Sequence, residues 1–275
     1  MNPTLANALQ LLLLASLLGC NGKHNGMQNE SHMIIFRDPD GRILTEDDLR
    51  GVSGTFRYEI VGNSQVSAKA ESLHSQGRQA GASGDYKRAI NLLEQAHNLA
   101  PQWPYPVYDM AFTYLLMKDT KNARVYYRKT IELSPRGFFE AITAVDALDR
   151  EEKGELPTGT YVKYLSLEWT NDPEQKTEIV HQLLRAAPDF APAWKELATL
   201  SGDDAEQLAA IERGLAAHPD GETKGILQVN KALILHRKGD HEGAIRLLGE
   251  TALDPASPYD TEQMAKVSLA NVLRK

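Results

Sequence analysis

Among the 275 residues, Cys20 is the only thiol, and it stands directly behind the longest apolar run of the chain. One cysteine can neither close an intramolecular disulfide nor build a cysteine-rich zinc site by itself. Other residues with chemical potential are scattered. His236 and His241 flank the segment RKGD, but two imidazoles on one helix need i+3 or i+4 spacing to share a metal, and Gly239 places a turn between them, so neither reads as a ligand. Asp38 and Asp40 lack the third ligand and the distal Glu of a calcium loop, and Gly41 comes too early. The chain has no HExxH, P-loop or GxSxG, and GVSG at 51–54 lacks the strand-elbow-helix setting of a nucleophile. Asp47 with Asp48, and Asp203 with Asp204, fall at expected helix starts, where negative charge suits the backbone dipole. These residues build no catalytic constellation, so no enzyme activity, cofactor or metal is expected.

The run before Cys20 gives that residue a context. Ala8 to Leu18 is apolar apart from Gln10 and Ser16, about half the length needed to span a bilayer, and reads as the core of a secretory signal. Leu17, Leu18, Gly19 and Cys20 resemble the lipobox of bacterial lipoproteins. That resemblance implies a cut before Cys20, alkylation of its thiol with diacylglycerol, and acylation of the new amine. Residues 1–19 depart from the pattern in holding no Lys or Arg. Asn21 in place of Asp implies, again by resemblance, the outer membrane of a host that has two. Each buried methylene contributes about 0.8 kcal/mol, so two or three chains hold persistently where one holds reversibly. The lipid bilayer is thus an expected partner through acylated Cys20, and the bacterial cell envelope the expected location.

Thirty Lys and Arg against 37 Asp and Glu leave a net charge of −7, which disfavours nucleic acid as a partner because phosphate contacts need clustered cations. Residues 20–32, rich in Asn and Gly, read as a flexible tether with a reach of roughly 20 Å. In residues 33–62, Asp38-Pro39-Asp40-Gly41 makes a turn between Ile34–Arg37 and Arg42–Leu44, Thr45 with Asp48 can cap a helical turn, and Phe56, Tyr58 and Ile60 alternate with charged residues. A small β-hairpin or strand element is expected there, and three short strands need a surface to pack on.

From Ser67 the pattern turns helical and repeats. Pro101 and Pro135, Ala89 and Ala123, and Leu93 and Tyr127 each lie 34 residues apart. Leu73, Gly77, the Gly84-Asp85-Tyr86 turn, Ala89, Leu93, Ala96 and Pro101 make one unit. Val107, Met110, Ala111, Tyr114, Ala123, Tyr127 and Pro135 make the next, and Gly239, Asp240, Ala244 and Leu248 mark a later one. This chain resembles the tetratricopeptide repeat family over residues 67–275. The fold expected is mainly α, an α-solenoid of helix pairs in which small residues let neighbours approach and large ones fill the notch. GELPTGT at 154–160 interrupts the spacing; helices are expected over 138–150, 161–169 and 174–187, and a terminal one over 259–274 with Asp260 or Thr261 as N-cap.

On the helix near Pro106, Tyr108, Phe112 and Leu115 or Leu116 form a second apolar stripe beside the stacking one, and a helix apolar on two faces must meet two things. The resemblance implies a concave groove for a protein or peptide, lined by Tyr105, Tyr108 and Phe112 with His74 and Arg78 beside them. Residues 33–62 or the irregular middle helices are the alternative cover for this stripe. The basic clamp that some relatives use for C-terminal carboxylates is not evident, since His74, Arg78, Tyr108, Phe112, Asn230 and Leu233 do not supply its Lys and Asn set. The function expected is a lipid-anchored scaffold that holds another protein at the envelope, as an adaptor or assembly factor. The competing expectation is an envelope binding protein for a small ligand or glycan, with Trp103, Tyr105 and Tyr108 stacking on sugar rings.

Overall fold

The computed structural model describes residues 66–273 and the backbone of three short strands at 33–37, 43–44 and 57–61. Cys20, the turn at 38–41 and the Thr45–Asp48 cap lie outside the described residues. Strands β1 (Met33–Arg37), β2 (Ile43–Leu44) and β3 (Arg57–Val61) are ordered β2-β1-β3, and β1 runs antiparallel to β2 with Phe36 opposite Leu44.

Helices start where the sequence offers an oxygen to amides that have no partner within the helix. Ser67 Oγ accepts from the Ala70 amide, Asp85 from Arg88, Asp119 from Asn122, and Asp172 from Glu174. Asp203, Asp220 and Asp240 serve later helices in the same way. The helices fall into two compact units. The first holds α1 (Ala68–Ala82), α2 (Tyr86–Leu99), α3 (Pro104–Leu116) and α4 (Thr120–Leu133). The second holds α5 (Ala141–Glu152), α6 (Thr160–Leu165), a 3-10 turn (Ser166–Trp169), α7 (Pro173–Ala186), α8 (Ala191–Leu200), α9 (Asp204–Ala216), α10 (Gly221–Arg237), α11 (His241–Leu253) and α12 (Tyr259–Val272).

The helix expected from Phe138 begins at Ala141, after a turn in which Phe139 takes φ 50°. The terminal helix is preceded by Pro258, which supplies no side-chain cap, while the Asp260 carboxylate instead accepts the neighbouring Thr261 amide. The GELPTGT interruption becomes a loop pinned by one carboxylate: Glu151 accepts from the Gly159 and Tyr161 amides, each at 2.7 Å.

Packing follows the small-residue pattern. In the first unit Leu93, Val107 and Met110 form the core with Ile90, Tyr126 and Leu133, and Ala89, Ala111 and Ala123 are fully buried. A methyl carbon on Gly77 would stand 2.8 Å from Leu93 Cγ, so α1 and α2 nest only with hydrogen at that position. In the second unit, Ala198 and Ala210 pack with Ile211, Leu227 and Ile234, and Ala232 and Ala244 pack with Val229, Leu248 and Ala265.

The second unit also buries ionisable groups. Glu222 is 4% exposed; its Oε2 accepts the Thr143 amide at 3.0 Å with the Thr143 hydroxyl at 3.0 Å, while Oε1 has no hydrogen-bond partner among the described residues. Burial first, then Asp220, push this carboxyl well above the usual range, against the opposing effect of the Thr143 amide. A side chain that binds its proton more tightly in the folded than in the unfolded state stabilises fully below the unfolded value, about 4.3, and that contribution is lost as pH rises through the folded value.

Two substitutions test this packing. Gly84, Lys118 and Gly239 hold equivalent left-handed turn positions, with φ of 83°, 62° and 89°. Of these three only Lys118 carries a Cβ into that region, so Lys118→Gly should raise unfolding free energy by up to about 1 kcal/mol in urea denaturation; a loss of stability would show that the turn is unstrained. Glu222→Gln keeps an acceptor for Thr143 but cannot ionise. Its melting temperature should match the parent near pH 4 and exceed it at pH 8; parallel pH profiles would show that Glu222 titrates normally.

Candidate functional site

A polar and aromatic face forms on the first unit because α1 and α3 lie side by side. His74 and Arg78 stand one turn apart on α1, and Tyr105, Tyr108, Asp109 and Phe112 follow the same spacing on α3. Trp103 precedes α3, and Pro104 and Pro106 occupy its first turn, where a missing amide hydrogen is harmless.

Asp109 ties the face together. Its Oδ2 lies 2.6 Å from His74 Nε2 and 3.7 Å from Arg78 Nε. A carboxylate only accepts, so Nε2 of His74 carries the proton in this bond. His74 is 8% exposed and Asp109 half-buried, which keeps the contact partly shielded from water. The His74 ring meets Trp103 edge-on at 4.7 Å and Tyr105 at 6.0 Å, and Trp103 and Tyr105 are 5.9 Å apart. Along α3, Tyr108 sits edge-on to the buried Tyr127 at 5.5 Å. The same helix thus carries Val107, Met110 and Ala111 into the core, with Tyr108 and Phe112 half-buried beside them.

The structure brings His74 and Arg78 together on Asp109, sets Tyr105 edge-on to the His74 ring, and places Tyr108 and Phe112 further along α3. Apolar periodicity did not point to Asp109, because an acidic residue between Tyr108 and Met110 looks like an ordinary solvated position. The available signal was His74, a polar ring at a position that faces a neighbouring helix and therefore needs a partner.

The second unit holds another cluster that no local motif announces. Lys195 Nζ on α8 donates to the Tyr164 hydroxyl at 2.7 Å and lies 3.3 Å from Glu140 Oε1 and 3.1 Å from Glu196 Oε1. Burial alone would lower Lys195, but Tyr164, Glu140 and Glu196 together raise it well above the ordinary lysine range. Burial, then Glu140, raise the Tyr164 hydroxyl likewise, against Lys195. An ammonium with a neutral phenol results. Lys195 and Tyr164 are both buried, with Glu140 and Glu196 half-buried beside them, so this set ties α6 and α8 together. Among the described residues no group of three or more His, Cys, Asp or Glu could hold a metal ion, and no helix is long and apolar enough to cross a membrane.

Comparison with known proteins gives a local match. No curated protein matches the chain significantly. Solved structures that resemble it include a thermophilic tetratricopeptide repeat protein of Thermus thermophilus, at 17% identity over 73% of this chain and 98% of that one, with a TM-score of 0.32. MamA from Desulfovibrio magneticus RS-1 is 17% identical over 67% of this chain and 94% of its own, at 0.32. PilW, a type IV pilus biogenesis factor, is 15% identical over 73% and 99%, at 0.34. Residues 107–136, which take in most of α3 and all of α4, match the tetratricopeptide repeat family.

Proposed function

We propose that this chain is a tetratricopeptide repeat scaffold, anchored to the bacterial cell envelope through acylated Cys20, which holds a protein or peptide segment on the face made by α1 and α3. In this reading residues 1–19 are a signal peptide, 20–32 a tether, and 33–62 a small β element ahead of the repeats. One observation carries the binding role: His74, Arg78 and Asp109 are joined beside Trp103, Tyr105, Tyr108 and Phe112 on two adjacent helices. Aromatic rings supply large contact area with few rotatable bonds, and a partly shielded carboxylate and guanidinium give a peptide backbone or side chain something to register against. The anchor draws on Leu17-Leu18-Gly19-Cys20, and for a two-membrane host the outer membrane is the proposed address.

A second reading, a site for a small ligand or glycan, draws on the Trp103 and Tyr105 rings, tilted by 47° at 5.9 Å. The peptide reading explains more of the face, because Tyr108 and Phe112 continue it along α3.

Crosslinking of the full chain in intact cells, followed by membrane fractionation, tests the proposal. Cys20→Ser should leave the membrane fraction. Tyr105→Ala with Phe112→Ala should stay in it and keep the parental circular dichroism, yet bind its crosslinked partner at least about tenfold more weakly, as hot-spot truncations do. An unmodified Cys20 thiol in the membrane-bound chain would remove the anchor. An unchanged set of crosslinked partners from the aromatic variant would remove the groove, and sugar-induced melting shifts in the parent would favour the second reading.

A further inference from the structure

The turn between α10 and α11 does something that the i+5 spacing of its two histidines conceals. Gly239, at φ 89°, reverses the chain; its amide donates to the His236 carbonyl at 3.0 Å and the Asp240 amide to the Leu235 carbonyl at 2.9 Å. The reversal folds His241, in the first turn of α11, back onto His236, in the last turn of α10. Their rings lie 4.7 Å apart, tilted by 58°, with the two Nδ1 atoms 2.8 Å from each other.

Two imidazole lone pairs at that distance repel unless a positive centre lies between them. A single shared proton is one such centre, and a metal ion is the other. With metal–nitrogen bonds of about 2.0–2.1 Å, a 2.8 Å separation corresponds to an angle near 86° at the metal, whereas a tetrahedral ion opens the nitrogens to about 3.3 Å. A right angle belongs to the cis positions of square-planar or tetragonal ions, which among imidazole-binding metals means Cu(II) and Ni(II), Cu(II) being the tighter. We propose that His236 and His241 form a two-imidazole site for a divalent transition-metal ion, Cu(II) foremost.

The surroundings suit this role. His241 is exposed and His236 half-buried, so an ion and its remaining water ligands can reach both rings. Two of the neighbouring charges are engaged elsewhere: Arg237 donates to Asp204 at 2.5 Å, and Asp240 accepts the Gly243 amide at 2.9 Å. The backbone turn orders both rings before any ion arrives, which lowers the entropic cost of binding. The site is independent of the peptide-binding face on the first unit.

Copper(II) chloride titrated into the full chain, read by calorimetry and electron paramagnetic resonance, tests the site. Nickel(II) chloride runs in parallel, because the Cys20 thiol can reduce copper but not nickel. The tightest binding step should disappear in both His236→Ala and His241→Ala, and persist in a chain carrying His24→Ala with His32→Ala, which removes the imidazoles of the N-terminal stretch. If either His236→Ala or His241→Ala keeps that step, the chelate is excluded. Pulsed resonance on the chain carrying His24→Ala with His32→Ala adds a count of ligands: two coordinated imidazoles support the site, and one or none overturns it.

Discussion

Helices α10 and α12 meet so closely that no side-chain carbon can stand at Gly225. A methyl group there would overlap Thr261 Cγ2 and lie 3.0 Å from Thr261 Cβ. The same constraint recurs at Gly77 against Leu93 and at Gly214, where a methyl carbon would come within 2.9 Å of Leu227 Cδ1. Dense interiors leave no slack to absorb an added carbon at such places. Small residues therefore decide how near one helix lies to the next, and everything carried on those helices inherits that distance.

The consequence for function is positional. His74 on α1 reaches Asp109 on α3 at 2.6 Å, and that bond exists only because the helices of the first unit are drawn together through buried alanines and Gly77. In the second unit close packing has a different result. Lys195 and Tyr164 are enclosed, with the half-buried carboxylates of Glu140 and Glu196 against them, and an enclosed charge is tolerable only when paired. One face of the chain thus keeps polar groups near the surface, while another commits comparable groups to holding helices in place.

The parts of the fold that repeat were legible in the sequence. Ala89, Ala123 and Ala244 mark helix contacts because a small residue recurs where two helices cross, and all three are fully buried. Gly84 and Gly239 mark turns because only glycine takes their backbone angles freely. What the sequence concealed depends on residues brought together from afar. Asp109 meets His74 across two helices, Glu140, Tyr164 and Lys195 come from three separate segments, and His236 touches His241 only because a turn folds one ring onto the other. Helix periodicity reports which face is apolar; it does not report which polar atoms meet across a contact. The cap of α12 illustrates a smaller failure, since Asp260 and Thr261 both suit an N-cap but Pro258 precedes the first turn.

Closeness between helices, set by residues without bulk, governs this structure, and Gly225→Ala tests that by sign. In an exposed helix, replacing glycine by alanine stabilises by about 1 kcal/mol. Here, equilibrium denaturation should instead show a loss of about 1–3 kcal/mol from overpacking, and the same substitution should cost much less when made in a chain that already carries Thr261→Gly. A gain in stability from Gly225→Ala alone would mean that the helices do not meet tightly at this residue.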